Sequence, residues 1–428
     1  MIVQKKLFPL LLVLIFSSTV FSNSERLEEK LDRDIDNIMK KVVEWRHDLH
    51  EFPELSNREF KTALKIEKHL RSLGLQVKTG IAHTGVVAIL EGKKPGPMVA
   101  LRADMDALPV VEMTGLPFAS KERATYNGQN VGVMHACGHD AHVAMLLGAA
   151  EVLSNMKDKI NGVIKFIFQP AEEGYGGAKF MIEDGAIDNV DEIYGLHVWN
   201  YQKSGTVGIQ SGPVMAAADI FTITIKGIGG HGATPQGTVD CVVVSSHLIQ
   251  ALQTIVSRNT NPLDNTVITV GQINGGYNFN IIADKIVLKG TTRAYTEDNR
   301  DLIKRRMKEI IQGTEKMFGA KIQLDYKDGY PPVINDITVT NNLYNIAKSI
   351  VGENVISPYL SMGGEDFSYF ANKIPGCFFF LGSAPKNRKP LSIPHHCSHF
   401  DIDENALLIG SSLFVQIIED LLITGKNK

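Results

Sequence analysis

The sequence predicts an α/β fold in which a largely parallel sheet forms one domain and a smaller ferredoxin-like α+β domain is inserted into it. Three observations carry this. Short apolar runs alternate with stretches of helical periodicity through the first half of the chain, the order changes to strand, helix, strand, strand, helix, strand from about residue 217, and the chain then returns to helix, strand and a final helix. A chain of 428 residues is also too long for one ordinary core, which favours two domains.

Taken in order, Lys5 and Lys6 precede an apolar run over 7–16 and a small-residue stretch ending at Ser22. This reads as a secretory signal peptide over 1–22, because the run is shorter than the roughly 20 apolar residues of a membrane span. Export to a periplasm, a secretory lumen or the outside is the expectation, with no stable membrane span once the signal is removed; an uncleaved anchor is the alternative. Residues 25–75 carry helical periodicity that Gly74 ends.

Apolar runs at 85–90, 98–101, 163–168 and 192–197 read as strands, and 142–153 and 178–183 as the helices between them. Strands that alternate with helices form a buried, mostly parallel sheet. The inserted unit, placed at 214–328, is expected to have strands at 220–226, 265–271, 285–294 and 321–326 and helices at 242–257 and 301–318. The surrounding domain takes 23–213 and 329–428, and a helix over 404–422 closes it.

A hydrophobic content of 44%, a charged content of 21% and a formal net charge of -3 leave no basic footprint for nucleic acid, so none is expected as a partner. The four cysteines, Cys137, Cys241, Cys377 and Cys397, are too few and too scattered for a disulfide framework. Cys241 and Cys377 sit in apolar runs and read as buried small hydrophobes.

Polar clusters stand at the ends of three predicted strands: Asp104 and Asp106, Glu172 and Glu173, and His197. In open α/β sheets the ligand crevice lies at the carboxyl ends of the strands. Cys137 and His139, two apart, can face one ion from a tight loop, and a thiolate beside imidazole and carboxylate donors suits borderline divalent metals. Two adjacent carboxylates are costly to bury unless charge compensates them; pointing in different directions, one can bind metal while the other serves as a base.

Asp104 and Asp106 would share a strand face and hold a ligand histidine by its other nitrogen. His142 begins a helix and reads as structural. His231 lies in a glycine-rich loop, 227–233, that lacks the Lys and Ser/Thr of a phosphate loop and does not follow the dinucleotide fingerprint.

With the blocks at 45–50 and 53–55, 134–140, 169–174, 230–233 and 362–367, these residues resemble the M20 metallopeptidase and amidohydrolase family, in its branch acting on N-acyl, hippurate-type and auxin-conjugated amino acids. The resemblance runs over nearly the whole chain after the signal. It implies a metallohydrolase catalytic domain with an inserted lid and dimerisation domain, and a site for two divalent ions drawn from Zn, Mn, Co or Ni. The implied ligands are Cys137, His139, Glu173, His197 and one late histidine, with Glu172 as base.

His396 is the implied late ligand, because it stands four residues before Phe400, although Ser398 replaces the family's usual proline and His395 and His399 offer competing nitrogens. His231 would hydrogen-bond the oxyanion in the other subunit of a homodimer, and Asn280 and Arg293 would grip the substrate carboxylate. The implied activity is metal-dependent hydrolysis of the amide bond of small N-acyl amino acids. A dipeptidase or aminopeptidase of the same family and a catalytically silent metal or ligand-binding protein are the alternatives.

Overall fold

The computed structural model describes residues 23–425 apart from Tyr175, with side chains from Arg33 onward. The signal peptide read at 1–22 lies outside the described residues.

An eight-stranded mixed sheet organises the larger unit, in the spatial order Gln76–Ile81, Gly85–Glu91, Asn161–Gln169, Lys94–Asp104, Glu192–Lys203, Gly376–Ala384, Val207–Gly208, Val355–Ile356. Its four central neighbours, from Asn161–Gln169 to Gly376–Ala384, run parallel. Because helices cover both faces of that centre, the strands are apolar without alternation: every residue of Gly376–Ala384 is buried. Antiparallel strands finish both sides.

Helix His139–Ser154 is buried around nearly its whole circumference, since it lies between the sheet and the outer helices Asn23–Glu51 and Asn405–Ile418. Close approach needs small residues there. A Cβ on Gly410 would stand 2.0 Å from the Met145 sulfur, so any larger residue at that crossing must displace the Met145 side chain. The stretch Asn405–Thr424 is long and apolar enough to cross a membrane, yet Leu407, Leu413, Phe414, Ile417 and Ile418 are buried in this core.

The second sheet is antiparallel, in the order Thr266–Gly275, Lys285–Ala294, Ala217–Lys226, Lys321–Tyr330. Along Ala217–Lys226 buried Phe221, Ile223 and Ile225 alternate with more exposed residues, and they pack with Leu248 and Met307 from helices Cys241–Thr254 and Glu297–Phe318 in a separate core. This is the strand-helix-strand-strand-helix-strand order read from the sequence. The second helix begins at Glu297 rather than 301, because the Thr296 hydroxyl accepts the Asn299 N–H and caps it there. A small hairpin, Arg123–Tyr126 with Gln129–Gly132, carries no apolar alternation and escaped the sequence reading.

Candidate metal centre

The site collects where the parallel strands end. Asp104 closes one strand, and the turn after Gln169 carries Glu172 and Glu173. His197 does not close its strand as expected; the strand continues to Lys203, so the ring is held on rigid backbone. Cys137 and His139 flank Gly138, whose φ of +90° and a Cβ contact of 2.3 Å to Val198 both demand glycine. Gly138 is also the N-cap of helix His139–Ser154, which sets His139 on the helix's first turn.

Cys137 is the hub. Its sulfur lies 3.5 Å from His197 Nε2 and 3.3 Å from His396 Nε2, and His396 Nε2 is 3.3 Å from Glu173 Oε1. The donor atoms of Cys137, His139 and His197 lie within 4.8 Å of one another, as do those of Cys137, Glu173 and His396, and those of His139, Glu172 and Glu173. Five donors from four segments of chain, the thiol among them, thus converge, with Glu172 beside them.

Hydrogen bonds away from the hub settle which nitrogens are free. His197 Nδ1 donates to the Val198 carbonyl at 2.6 Å and His139 Nδ1 to the Asp106 carbonyl at 2.9 Å, so in the neutral form of each ring Nε2 carries the lone pair. His139 Nε2 is buried without a hydrogen-bond partner. His395 is used differently: its Nε2 accepts the Asn200 N–H at 3.2 Å, leaving Nδ1 to donate towards the Cys137 sulfur at 3.7 Å. His399 is exposed and meets Ser398. His142 is saturated, with Asp104 at 2.5 Å on Nδ1 and the Val198 N–H at 2.9 Å on Nε2.

The two aspartates divide the role expected of both. Asp106 supports the donors: besides its carbonyl contact to His139, its carboxylate accepts the backbone N–H groups of Glu172 at 3.1 Å and Glu173 at 3.0 Å and the Ser56 hydroxyl at 2.6 Å. Asp104 instead holds His142 and accepts Arg102 at 2.8 Å. Arg102 also donates to Gln169 at 2.8 Å, Glu365 at 2.9 Å and Asp366 at 3.2 Å, and is fully buried. Sequence reasoning overlooked it, although a charged residue inside an apolar strand is itself a signal of a buried network.

Asp104, Asp106, Glu172, Glu365 and Asp366 are all buried, and the Arg102 guanidinium pairs with three of them, Asp104, Glu365 and Asp366. The surplus is negative. Burial, then Glu173, Glu172 and Asp104, push the Cys137 thiol well up, and burial with Glu365 does the same to the Glu172 carboxyl. Burial alone would push His139 down, but Asp104 and Asp106 lift it to about 10. A cation beside the sulfur removes this conflict, because it stabilises thiolate and carboxylates together. The orphaned His139 nitrogen, the donor chemistry and the charge surplus therefore fit divalent metal.

The remaining expected residues lie elsewhere. His231 pairs with Ile281, and the Gly232 N–H donates to the Asn280 carbonyl at 2.8 Å, so His231 and Asn280 are exposed neighbours at one end of the inserted sheet. Arg293 sits at the other end of strand Lys285–Ala294, opposite Ala218, and donates to the Thr292 carbonyl at 2.9 Å. Eight residues of strand, roughly 26 Å, separate Lys285 from Arg293. Asn280 and Arg293 therefore lie towards opposite ends of this strand within one chain. Arg293's end is the one that meets the site: Ala218 packs on Gly364, and Tyr330, paired with Ala218, donates its hydroxyl to the Glu172 carbonyl at 2.5 Å.

Residues 100–420 match the sequence profile of Peptidase family M20/M25/M40. The chain is 41% identical over 400 residues to an N-acetyl-L-cysteine deacetylase of Bacillus subtilis, covering 94% of this chain and 92% of the relative. It is 39% identical over 390 residues to IAA-amino acid hydrolase ILR1-like 4 of Arabidopsis thaliana, covering 90% and 86%. Among solved structures it resembles the Bacillus subtilis YXEP protein, described as a dinuclear metal binding peptidase, with a TM-score of 0.78 and 32% identity over 90% of this chain and 99% of that one.

Proposed function

The chain belongs to Peptidase family M20/M25/M40, and on that premise we infer that it is a metal-dependent amidohydrolase that releases a carboxylic acid and a free amino acid from N-acyl amino acids. The observation that carries this is the Cys137-centred donor set with Glu172 beside it, since a binding protein has no need of a carboxyl group placed as a base at its metal. We assign Cys137, His139, Glu173, His197 and His396 as holders of two divalent ions. Such ions supply Lewis-acid polarisation of an amide carbonyl and a water of lowered pKa. The mixed thiolate, imidazole and carboxylate donors suit Zn, Mn, Co or Ni alike.

Glu172 takes the proton of the attacking water at its carboxylate and returns it to the leaving amine nitrogen. Asp106 keeps Glu172 and Glu173 aimed apart through their backbone N–H groups. Arg293, at the end of the inserted sheet that meets the site, takes the substrate carboxylate. His231 and Asn280 are too far from this chain's own cluster to share that task, which favours their serving the site of a second copy in a homodimer. Exposed Phe279, Tyr277 and Ile281 beside them offer the apolar surface such an association needs. The apolar run over 7–16 supports export of the enzyme.

The test is release of free amino acid from N-acetyl, N-benzoyl and indolylacetyl amino acids and from dipeptides, before and after chelation and metal restoration. Chelator-sensitive cleavage of an acyl conjugate is the expected result. Metal-loaded protein inert to the whole panel would favour a silent binder, and cleavage restricted to free amino termini would favour a peptidase.

A further inference from the structure

The turn that carries Glu172 follows a path its residues would not hold alone. Ala171 has φ of +56°, in the left-handed region that L residues rarely adopt, and Gly174 and Gly176 follow at +92° and +72°. Such a path persists where surrounding groups over-determine it. Most of the holding comes from the catalytic domain: the Ala171 N–H donates to Glu59 at 2.9 Å, the N–H groups of Glu172 and Glu173 donate to Asp106, and the Ala178 N–H donates to Asp366 at 3.0 Å.

One clamp comes from the inserted domain. Tyr330 is the last residue of its strand Lys321–Tyr330, and the Tyr330 hydroxyl donates to the Glu172 carbonyl at 2.5 Å and accepts the Gly176 N–H at 3.0 Å. The two peptides that flank Glu172 are therefore pinned separately: the one before it by Asp106 through its N–H, and the one after it by Tyr330 through its carbonyl. The Gly174 N–H also reaches that carbonyl, at 2.7 Å, but it belongs to the turn and moves with it.

Tyr330 is itself anchored. It pairs with Ala218, and its ring lies against Gly364, where a Cβ would stand 3.5 Å from Tyr330 Cδ2. The Gly329 N–H donates to Asp219 at 2.8 Å, the Gly329 carbonyl accepts Arg300 at 3.2 Å, and Asp219 and Arg300 are a buried pair at 2.6 Å. The phenol thus has a fixed place relative to the inserted sheet.

Resting on the amidohydrolase reading, we propose that Tyr330 is the positioning residue of Glu172: its hydroxyl fixes the peptide that follows the base, so the aim of the carboxylate at the attacking water depends on a residue of the inserted domain. No proton of the reaction passes through the phenol; it acts through the backbone. A base displaced by about 1 Å loses rate by about 100-fold, and the loss falls on kcat because the base does not hold the ground-state substrate.

The experiment compares wild type with Tyr330→Phe, which keeps the ring and removes the hydroxyl, and with Tyr369→Phe, which removes a hydroxyl at the same boundary, where it donates to the Gly329 carbonyl at 3.4 Å. For each metal-loaded protein, kcat and KM are measured on the acyl conjugate that wild type cleaves fastest, with metal content and amide exchange of the Glu172–Gly176 turn. Tyr330→Phe is expected to lower kcat by about 10- to 100-fold with KM within about threefold, wild-type metal content and faster exchange at the turn, while Tyr369→Phe stays within about twofold of wild type. Unchanged kcat, equal loss in both variants, a change in KM alone, loss of metal, or a lower kcat without faster exchange overturns the positioning role and leaves the amidohydrolase reading intact. If wild type cleaves no conjugate, that reading fails by itself; faster exchange in Tyr330→Phe alone then keeps the clamp on the turn, and unchanged exchange removes it.

Discussion

The backbone N–H of Asn200 donates to Nε2 of His395 at 3.2 Å, and that bond decides which of two adjacent imidazoles is free to hold a cation. His396, with φ of +65°, turns the other way and brings Nε2 to 3.3 Å from the Cys137 sulfur. His396→Ala is expected to lower metal affinity by about 100-fold or more, while His395→Gln keeps both ions. Elemental analysis after dialysis checks this; equal metal loss from the two variants would reverse the assignment.

In the proposed mechanism Glu172 accepts the water proton and is not among the five assigned ligands. Glu172→Gln should retain wild-type metal content and lose turnover by about 10⁴-fold or more, within the range general base catalysis and water activation together supply. Loss of metal from this variant would make Glu172 a ligand instead.

Arg102 compensates Asp104, Glu365 and Asp366 where water does not reach. Removing one partner of a buried ionic network strands the others, so Arg102→Met should destabilise the protein by about 3–5 kcal/mol. Denaturant unfolding of metal-loaded protein measures it, and a loss below about 1 kcal/mol would show that the carboxyls simply take up protons.

His50 lies between Asp140, 2.8 Å from Nδ1, and Glu112, 3.2 Å from Nε2. Burial alone would push the imidazole down, but Asp140 foremost and Glu112 outweigh it and lift it to about 9. A pKa raised on folding contributes stability that is complete below the unfolded histidine value of about 6.5 and is lost as pH rises through about 9, roughly 3 kcal/mol in all. His50→Gln should flatten the fall in unfolding free energy across that window; an unchanged slope would assign the fall to other groups.

If His231 serves a second copy's site, two inactive variants complement one another. Mixing Glu172→Gln with His231→Ala under conditions that exchange subunits should restore about a quarter of wild-type activity, because a quarter of the sites then hold both intact residues. A mixture that stays inactive although subunits have exchanged would place His231 in its own chain's site.

Much of the site was legible because metal chemistry restricts residue types. A Cys-x-His pair, adjacent glutamates after an apolar strand and a histidine in a further apolar run are visible in the chain, and the fold brings their donor atoms together. Arg102 was hidden inside its apolar run, and Tyr330 in the exit strand of the inserted domain, since neither belongs to a spacing pattern. The separation of Asn280 from Arg293 was hidden for a different reason: a strand of ten residues carries its two ends far apart, and which end meets the site depends on tertiary packing.

The sequence by itself determined the α/β class, the inserted split βαβ unit and the inventory of donors, because period, strand order and ligand softness are properties of residue types and their spacing. Tertiary structure alone decided which donors are free. A histidine's lone pair depends on what its other nitrogen meets, and those partners, the carbonyls of Asp106 and Val198 and the N–H of Asn200, are backbone groups whose place in space no side-chain pattern encodes.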